Sequence, residues 1–342
     1  MRVGLRSWWR APFWLLALAT GAKSFADNPI LGSGRLNRWG LHVSRLELAH
    51  RMAWGRRRRL ASAVPSEWRA QFDADGFVVV PNFLPDMDFE AIRNQLTAGT
   101  FDTRVQQQGD TITRRIAVDP DLLRKVPGLR RLLADRRWKS LLAYVASTRS
   151  EPLYYIQTII THAASAPPDP QLELHADTFH PSMKAWLFLT DVEASKAPLT
   201  YVAGSHRLTP ERLAWEQRKS ITIRDADHLS QRGSFRIRPK ELGALRLPEP
   251  TAFAVRANTL VVIDTSGFHA RGPSDAPTVR AEIWAYCRRS PFLPWTGFDL
   301  LSTRPLASRR AGWIASVTDR LDRIGLRKQH WRPAGRKNPF ER

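Results

Sequence analysis

A mainly β domain with flanking helices, closed as a sandwich or barrel, is the fold class this sequence predicts, and three observations predict it. From Leu153 onward the chain is a succession of short β-branched or aromatic runs: "LYYIQTIIT", "LELHAD", "KAWLFLTDV", "TAFAVRA", "TLVVID" and "RAEIWAYC". Pro, Gly, Asp and Ser separate them, without intervening helices, which favours a sandwich or barrel over βαβ units. Helical patterns fall instead ahead of residue 150. There is no internal repeat, no GxGxxG or GxxxxGK[ST] and no nucleophile elbow.

In chain order, "MRVGLRSWWRAPFWLLALATGAKSFADNP" starts basic, is apolar over residues 11–22 and ends in the small-x-small step Ser24-Phe25-Ala26. That layout suits a secretory signal cleaved near Ala26, and twelve apolar residues fall short of the about 20 that span a bilayer. It equally suits an interfacial segment, with Trp8, Trp9 and Trp14 at headgroup level and Arg2, Arg6 and Arg10 toward anionic lipid. In "LNRWGLHVSRLELAHRMAWGRRRRLA", Leu46, Ala49 and Ala53 recur at helical spacing ahead of the arginines at 56–59. Basic amphipathic helices of this kind lie on membranes or acidic partners; a solvated arm is the plainer alternative. Residues 1–62 are therefore expected to form a membrane-associating arm, at the inner, cytoplasmic face because the chemistry below needs cytosolic cofactors.

Residues 63–300 read as the catalytic body. "FDADGFVVVPNFLP" predicts a short strand at 77–80 between Gly76 and Pro81. "DMDFEAIRNQLTAG" predicts a helix with Asp86, Asp88 and Glu90 in its first turn and Gly99 beyond its end. Residues 119–147 predict one or two more helices broken at Pro127.

The formal charge of +21 sits at the ends. Residues 1–62 carry 12 Lys/Arg against 2 Asp/Glu, residues 301–342 carry 11 against 3, and the middle carries 30 against 27. A near-neutral body without a basic-aromatic stripe argues against nucleic acid as partner. Basic ends, including a C-terminal extension over 301–342, point to an anionic surface. The single cysteine, Cys287, excludes an internal disulfide and a Cys-cluster metal site and suits a buried thiol.

The chemistry lies in "ELHADTFHPSMKAWLFLTDVE". In a strand, residues two apart share a face, so His175 and Asp177 project together while His180, at odd spacing, does not join them. His269, after the apolar strand "NTLVVIDTSGF", is the best third ligand. Two histidines and one carboxylate leave positions open on an octahedral ion, which suits non-haem Fe(II) that binds co-substrate and O₂ together. Arg280, eleven residues later, could clamp a carboxylate in bidentate fashion or merely pair with Glu282 or Asp264. His206 reads as a turn residue.

His175-x-Asp177, "LTYVAGSHR" and "NTLVVIDTSGFHARGPS" with Arg280, together with the opening "DADGFVVVPNFL", resemble the phytanoyl-CoA dioxygenase family of Fe(II)/2-oxoglutarate oxygenases over roughly residues 72–290. The resemblance implies a double-stranded β-helix (jelly-roll, cupin-like) core, iron on His175, Asp177 and His269, and Arg280 on the distal carboxylate of 2-oxoglutarate. It also puts Gln157 and Trp186 against the co-substrate. A carboxylate at 177, where related halogenases have a small residue, implies hydroxylation of an unactivated C–H bond. Residues 1–62 lie outside the resemblance, and Arg271 stands where a small polar residue is usual. A non-catalytic β-helix binding protein and an oxygenase of a soluble metabolite are the alternatives. Residues 224–250, with Arg232, Arg236, Arg238 and Lys240, form a long connection that could hold phosphate or carboxylate. With the basic ends, it leads to the expectation of a lipid-like anionic substrate.

Overall fold

The structure of the protein is a computed structural model that describes residues 9–297 and 299–342. Arg2, Arg6 and Trp8 lie outside the described residues. Eleven strands are described: β1 (Phe77–Val80), β2 (Phe101–Gln108), β3 (Thr111–Ala117), β4 (Leu153–Ile160), β5 (Met183–Phe188), β6 (Leu199–Tyr201), β7 (Thr251–Ala252), β8 (Leu260–Asp264), β9 (His269–Arg271), β10 (Val279–Cys287) and β11 (Arg332–Lys337). Twelve α-helices accompany them among the described residues. Eight precede β4: α1 (Ala11–Leu18), α2 (Gly34–Arg38), α3 (Leu41–Leu60), α4 (Ser66–Asp75), α5 (Asp86–Thr97), α6 (Pro120–Lys125), α7 (Pro127–Ala134) and α8 (Arg136–Ala146). The rest are α9 (Pro210–Ile221), α10 (His228–Gln231), α11 (Pro239–Ala244) and α12 (Arg304–Arg323).

The strands form an antiparallel eight-stranded sheet, ordered β1-β8-β5-β10-β4-β3-β2-β11, and a three-stranded sheet, β7-β6-β9. Alternation sorts their side chains. Ile156, Leu187, Val262 and Ile283 face out from the large sheet onto Phe89, Leu129, Trp138 and Leu141 of the helices. Trp186, Phe188, Val261 and Trp284 face in, against Leu199, Tyr201 and Phe253 of the small sheet. Helices outside, two sheets facing each other inside: this is the double-stranded β-helix expected.

Local chemistry accounts for the boundaries. Asp119 and Asp135 accept backbone N–H groups at the starts of α6 and α8, and Pro127 separates α6 from α7 as read from the sequence. Gly76 ends α4 at φ +85°, and a Cβ there would stand 2.5 Å from the His206 ring and 2.6 Å from the Tyr201 hydroxyl. Only glycine meets both demands.

The structure departs from the sequence reading in four places. The β2–β3 hairpin was not anticipated, because its Thr, Gln and Arg residues line an aqueous cleft and do not alternate apolar with polar. Helices α10 and α11 occupy residues read as connection, and α9 lies in a stretch for which no element was predicted. "LELHAD" and "TAFAVRA" are largely irregular, held by isolated bridges and β7. Finally, the ends are not appendages. In α3, Leu46, Ala49 and Ala53 are fully buried, as are Arg56 and Arg57, so the apolar stripe meets protein rather than lipid. Arg56 donates to the carbonyls of Ser147, Pro291 and Leu293 at 2.8–2.9 Å. At the other end, β11 pairs with β2 and Arg114 donates to the carbonyls of Asn338 and Glu341. No described helix is long and apolar enough to cross a membrane.

Arg57 donates from Nη2 to Asp264 Oδ2 at 2.7 Å with both side chains about 1% exposed. Arg57→Ala would leave the carboxylate buried and uncompensated, and should lower stability by roughly 3–5 kcal/mol. Lys125→Ala, which removes an exposed pair with Asp121, should leave the urea midpoint within error. Urea unfolding of the metal-free protein compares the two.

Candidate metal and co-substrate site

Residues 174–177 run between β9 and residues 235–237, with Ala176 N–H donating to Phe235 and Ile237 N–H to Leu174. His175 and His269 are an antiparallel pair that exchanges both backbone hydrogen bonds, each 3.0 Å. Residues directly opposite in such a pair share a face, and the ring centroids lie 4.7 Å apart. Asp177 joins them: its Oδ1 is 3.6 Å from Nε2 of each histidine, and one donor atom from each of the three lies within 4.8 Å of the others. Its position is held from behind by its own N–H, which donates to Thr265 at 2.9 Å.

The imidazoles are oriented by backbone. His175 Nδ1 donates to the Glu173 carbonyl at 2.7 Å and His269 Nδ1 to the Gly267 carbonyl at 3.1 Å, the assignment a carbonyl partner requires. A Cβ on Gly267 would stand 2.0 Å from the Tyr201 hydroxyl, so the chain can turn there only with glycine. Both Nε2 lone pairs are thereby presented toward Asp177. Nε2 of His269 is buried without any hydrogen-bond partner, an unmet valence that a cation satisfies. The donor set, two imidazoles and a carboxylate, fits non-haem Fe(II).

Electrostatics keeps the donors in ligating form. Burial pulls the His175 pKa down to about 4, against the opposing pull of Asp177. Burial alone would raise that of Asp177, but the Lys184 ammonium and the two imidazoles hold it well below the usual carboxylate range. Lys184 Nζ sits 2.7 Å from Asp177 Oδ2, occupying one oxygen and leaving Oδ1 to the histidines.

Gln157, Trp186 and Arg280 line, with His175 and His269, a cavity of about 150 Å³. Register explains the grouping, since Gln157 faces Glu282 across β4–β10 and Trp186 faces Trp284 across β5–β10. A buried relay crosses the cavity floor. Arg115 Nε donates to Gln157 Oε1 at 2.8 Å, Gln157 Nε2 to Glu282 Oε1 at 2.7 Å, and Arg280 Nε to Glu282 Oε2 at 2.8 Å. The pairing of Arg280 with Glu282 that the sequence left open is therefore present. Arg280 also donates from Nη1 to the Ala197 carbonyl, and its Nη2 makes no hydrogen bond among the described residues. Arg271 lines the same cavity and pairs with the buried carboxylate of Asp169.

The structure leaves other singled-out residues outside this constellation. His180 is buried with Nδ1 on the Pro181 carbonyl. His206 is buried against Phe72 and Trp54. Cys287 is a buried free thiol. Three residues that reach the site were missed. Lys184 was recoverable, standing two residues before Trp186 on the same face. Arg115 lay in the unrecognised hairpin. Lys23, whose Nζ donates to the Asp177 carbonyl, comes from the N-terminal segment and has no local signal.

On the far side of Asp177 a second cavity, about 370 Å³, is lined by Lys23, Tyr155, Lys184, Trp284, Tyr286 and Arg288. Arg115 and Tyr155 are shared with a cleft of about 1180 Å³ that reaches Ile314, Leu326 and Arg327 near the C terminus and Arg232 of the long connection. Arg236, Arg238 and Lys240 of that connection do not line the cleft.

The family model for phytanoyl-CoA dioxygenase (PhyH) matches residues 72–242, a span that contains His175 and Asp177 and ends before His269 and Arg280. Among solved structures, the non-haem α-ketoglutarate-dependent epimerase SnoN of nogalamycin biosynthesis is 21% identical at a TM-score of 0.45, over 66% of this chain and 82% of that one. HygX from Streptomyces hygroscopicus, with nickel, 2-oxoglutarate and hygromycin B bound, is 17% identical at a TM-score of 0.41, over 71% and 94%. EctD from S. alaskensis with bound Fe is 15% identical at 0.37, over 66% and 76%. No curated protein sequence matches the chain.

Four buried imidazoles set the acid response of the metal-free protein. Burial first of all lowers His50 and His175 to about 4 and His180 and His206 to about 3. The unfolded chain takes up these protons below about pH 6.5 and the folded chain does not, so stability should fall as pH drops from about 6.5 toward 4. His206→Phe should reduce the loss between pH 7 and pH 5 by up to about 2 kcal/mol. Urea midpoints at the two pH values measure it.

Proposed function

The chain belongs to the phytanoyl-CoA dioxygenase family, whose model spans half of it, and is an iron(II)- and 2-oxoglutarate-dependent oxygenase; we propose that it hydroxylates a lipid-like, anionic substrate and that His175, Asp177 and His269 hold its metal. The observation that carries the site assignment is the unpartnered Nε2 of buried His269, 3.6 Å from Asp177 Oδ1, at the edge of a cavity that also contains Arg280. With iron and 2-oxoglutarate bound, the site would let O₂ act as the four-electron oxidant, taking two electrons from 2-oxoglutarate, which leaves as succinate and CO₂, and two from a substrate C–H bond, which becomes an alcohol.

The protein's own residues do the positioning. Carbonyls 173 and 267 keep both histidines in the Nε2-ligating tautomer, and Lys184 keeps Asp177 ionised and turned. Arg280, with Glu282 and Gln157 fixing its plane, offers Nη2 to a carboxylate of the co-substrate. The Trp186 and Trp284 rings wall the reacting volume and keep water from it.

The lipid-like substrate is supported by the cleft and its rim. Among the residues described on α12, only Ala311 is buried, while Trp313, Ile314 and Val317 stand 45–54% exposed. Ile314 and Leu326 also line the cleft, and Arg309, Arg320, Arg323, Arg327 and Lys328 lie along the same stretch. An exposed apolar stripe with Trp and flanking basic residues suits an anionic bilayer surface. At the opposite end, Trp9, Phe13, Leu15 and Leu16 on and beside α1 are 57–66% exposed. The proposal puts the protein at the cytoplasmic membrane face, where ferrous iron and 2-oxoglutarate are at hand. Cleavage near Ala26 would remove Lys23 from the site, which argues for retention.

His175→Ala and Asp177→Ala should each abolish iron-dependent release of succinate from 2-oxoglutarate, with a folded melting profile retained. Undiminished release would remove these residues from the metal. Trp313→Ser combined with Val317→Ser should reduce co-sedimentation with phosphatidylglycerol vesicles severalfold. If the unaltered protein stays in the supernatant at low salt, a soluble metabolite becomes the substrate reading.

A further inference from the structure

We infer that residues 20–25, which lie outside the family match, complete the active site, and that Lys23 selects a substrate with a carboxylate or phosphate group near the carbon to be oxidised. The inference rests on the metal assignment proposed above for its location, because Lys23 and Asp177 share one cavity wall.

The segment is fixed on both sides of Lys23. Arg45 of α3 donates from Nε to the Leu18 carbonyl at 3.0 Å and from Nη2 to the Thr20 and Ala22 carbonyls at 2.9 Å each. Arg288, just past β10, donates to the Gly21 carbonyl. Beyond Lys23, the N–H groups of Phe25 and Ala26 both donate to the Gln231 carbonyl at 2.9 and 3.0 Å. Gly233 packs so closely that a Cβ on it would stand 2.3 Å from the Lys23 carbonyl. Phe25 is buried and stacked on Phe235 with centroids 5.5 Å apart. An irregular segment held this way is part of the domain, and its one charged residue between these anchors is Lys23.

That side chain has donors to spare. An ammonium carries three N–H groups, and the Asp177 carbonyl takes one. The 370 Å³ cavity it enters is lined by four cationic side chains, Lys23, Arg115, Lys184 and Arg288, against the single carboxylate of Asp177. Lys184 is paired with Asp177, while Arg115 donates from Nε to the neutral amide of Gln157 and keeps its charge. The excess positive charge is therefore shared by Lys23, Arg115 and Arg288, beside the aromatic wall of Tyr155, Trp284 and Tyr286. A basic end beside an aromatic wall recognises an anion with an apolar body.

The test titrates decyl phosphate, decanoate and decan-1-ol, each below its micellar concentration, into full-length protein. It is run both metal-free and with Mn(II) and 2-oxoglutarate. At least one anion should bind about tenfold or more tighter than decanol, and the tighter of the two tells phosphate from carboxylate. Lys23→Met should erase that preference and Lys23→Arg should keep most of it. Equal binding of anions and alcohol by the unaltered protein, no binding of either anion, or an undiminished preference in Lys23→Met would each overturn the inference. Should Lys23→Met melt abnormally, acetic anhydride labelling of the unaltered protein decides: the preferred anion must protect Lys23 and decanol must not. Failure to bind Mn(II) would count against the metal assignment alone, since the metal-free titration still reads Lys23.

Discussion

The buried carboxylate of Asp264 is the constraint on which the site depends. It accepts from Arg57 Nη2, from Ser182 N–H, and from both the N–H and hydroxyl of Ser266. Its backbone N–H donates to Gly76 and its carbonyl accepts the Tyr201 hydroxyl. One residue at the end of β8 thus joins α3, the start of β1, the start of β5, β6 and the loop that leads to His269. Thr265, next in sequence, accepts the Asp177 N–H and donates to Ser182. The two halves of the proposed metal site are therefore referenced to the same point. A charge this deeply buried needs its counter-ion, and Arg57 supplies it while also donating to the Tyr144 and Val145 carbonyls and lying over Trp54 and Phe72.

Arginine does this kind of joining throughout the chain. Arg45, Arg56 and Arg114 each reach two or three main-chain carbonyls from segments distant in sequence. A planar guanidinium with five donors can close several loops at once, which a lysine cannot. Part of the positive charge of the two ends is consumed in this way. What remains at the surface, on α12 and the residues after it, borders the cleft. The positive charge of the ends therefore has two uses, internal cross-linking and external attraction.

The cavity beside His175 and His269 follows a different rule, that of strand alternation. Arg115, Gln157, Glu282 and Arg280 come from three neighbouring strands and face inward because they occupy the same phase as Trp186 and Trp284. Their hydrogen bonds satisfy one another, so a buried row of polar groups persists between apolar layers. Glu282 neutralises part of Arg280 and, in doing so, fixes its plane. The cavity is left with directed donors rather than diffuse charge.

Much of this was legible in the sequence where short-range periodicity governs. Strands β4, β5, β8 and β10, the break at Pro127 and the shared face of His175 and Asp177 are all local consequences of backbone geometry, whereas Gln157 and Trp186 were put against the co-substrate only by the family resemblance. His269 could be named because it follows an apolar strand that breaks at Ser266-Gly267. The hairpin β2–β3 was not legible, since polar residues facing a wet cleft imitate loop composition. Nor was the fate of α3: its amphipathic stripe is visible in the sequence, but a stripe says only that an apolar partner exists, lipid or protein. By itself the sequence determined which residues of each strand share a face, His175 and Asp177 among them, because alternation is set by neighbours two residues away. Only the tertiary structure decided that His175 and His269 are paired, that Arg57 meets Asp264 and that Lys23 reaches Asp177, because these contacts join residues between 94 and 207 positions apart and no local pattern encodes them.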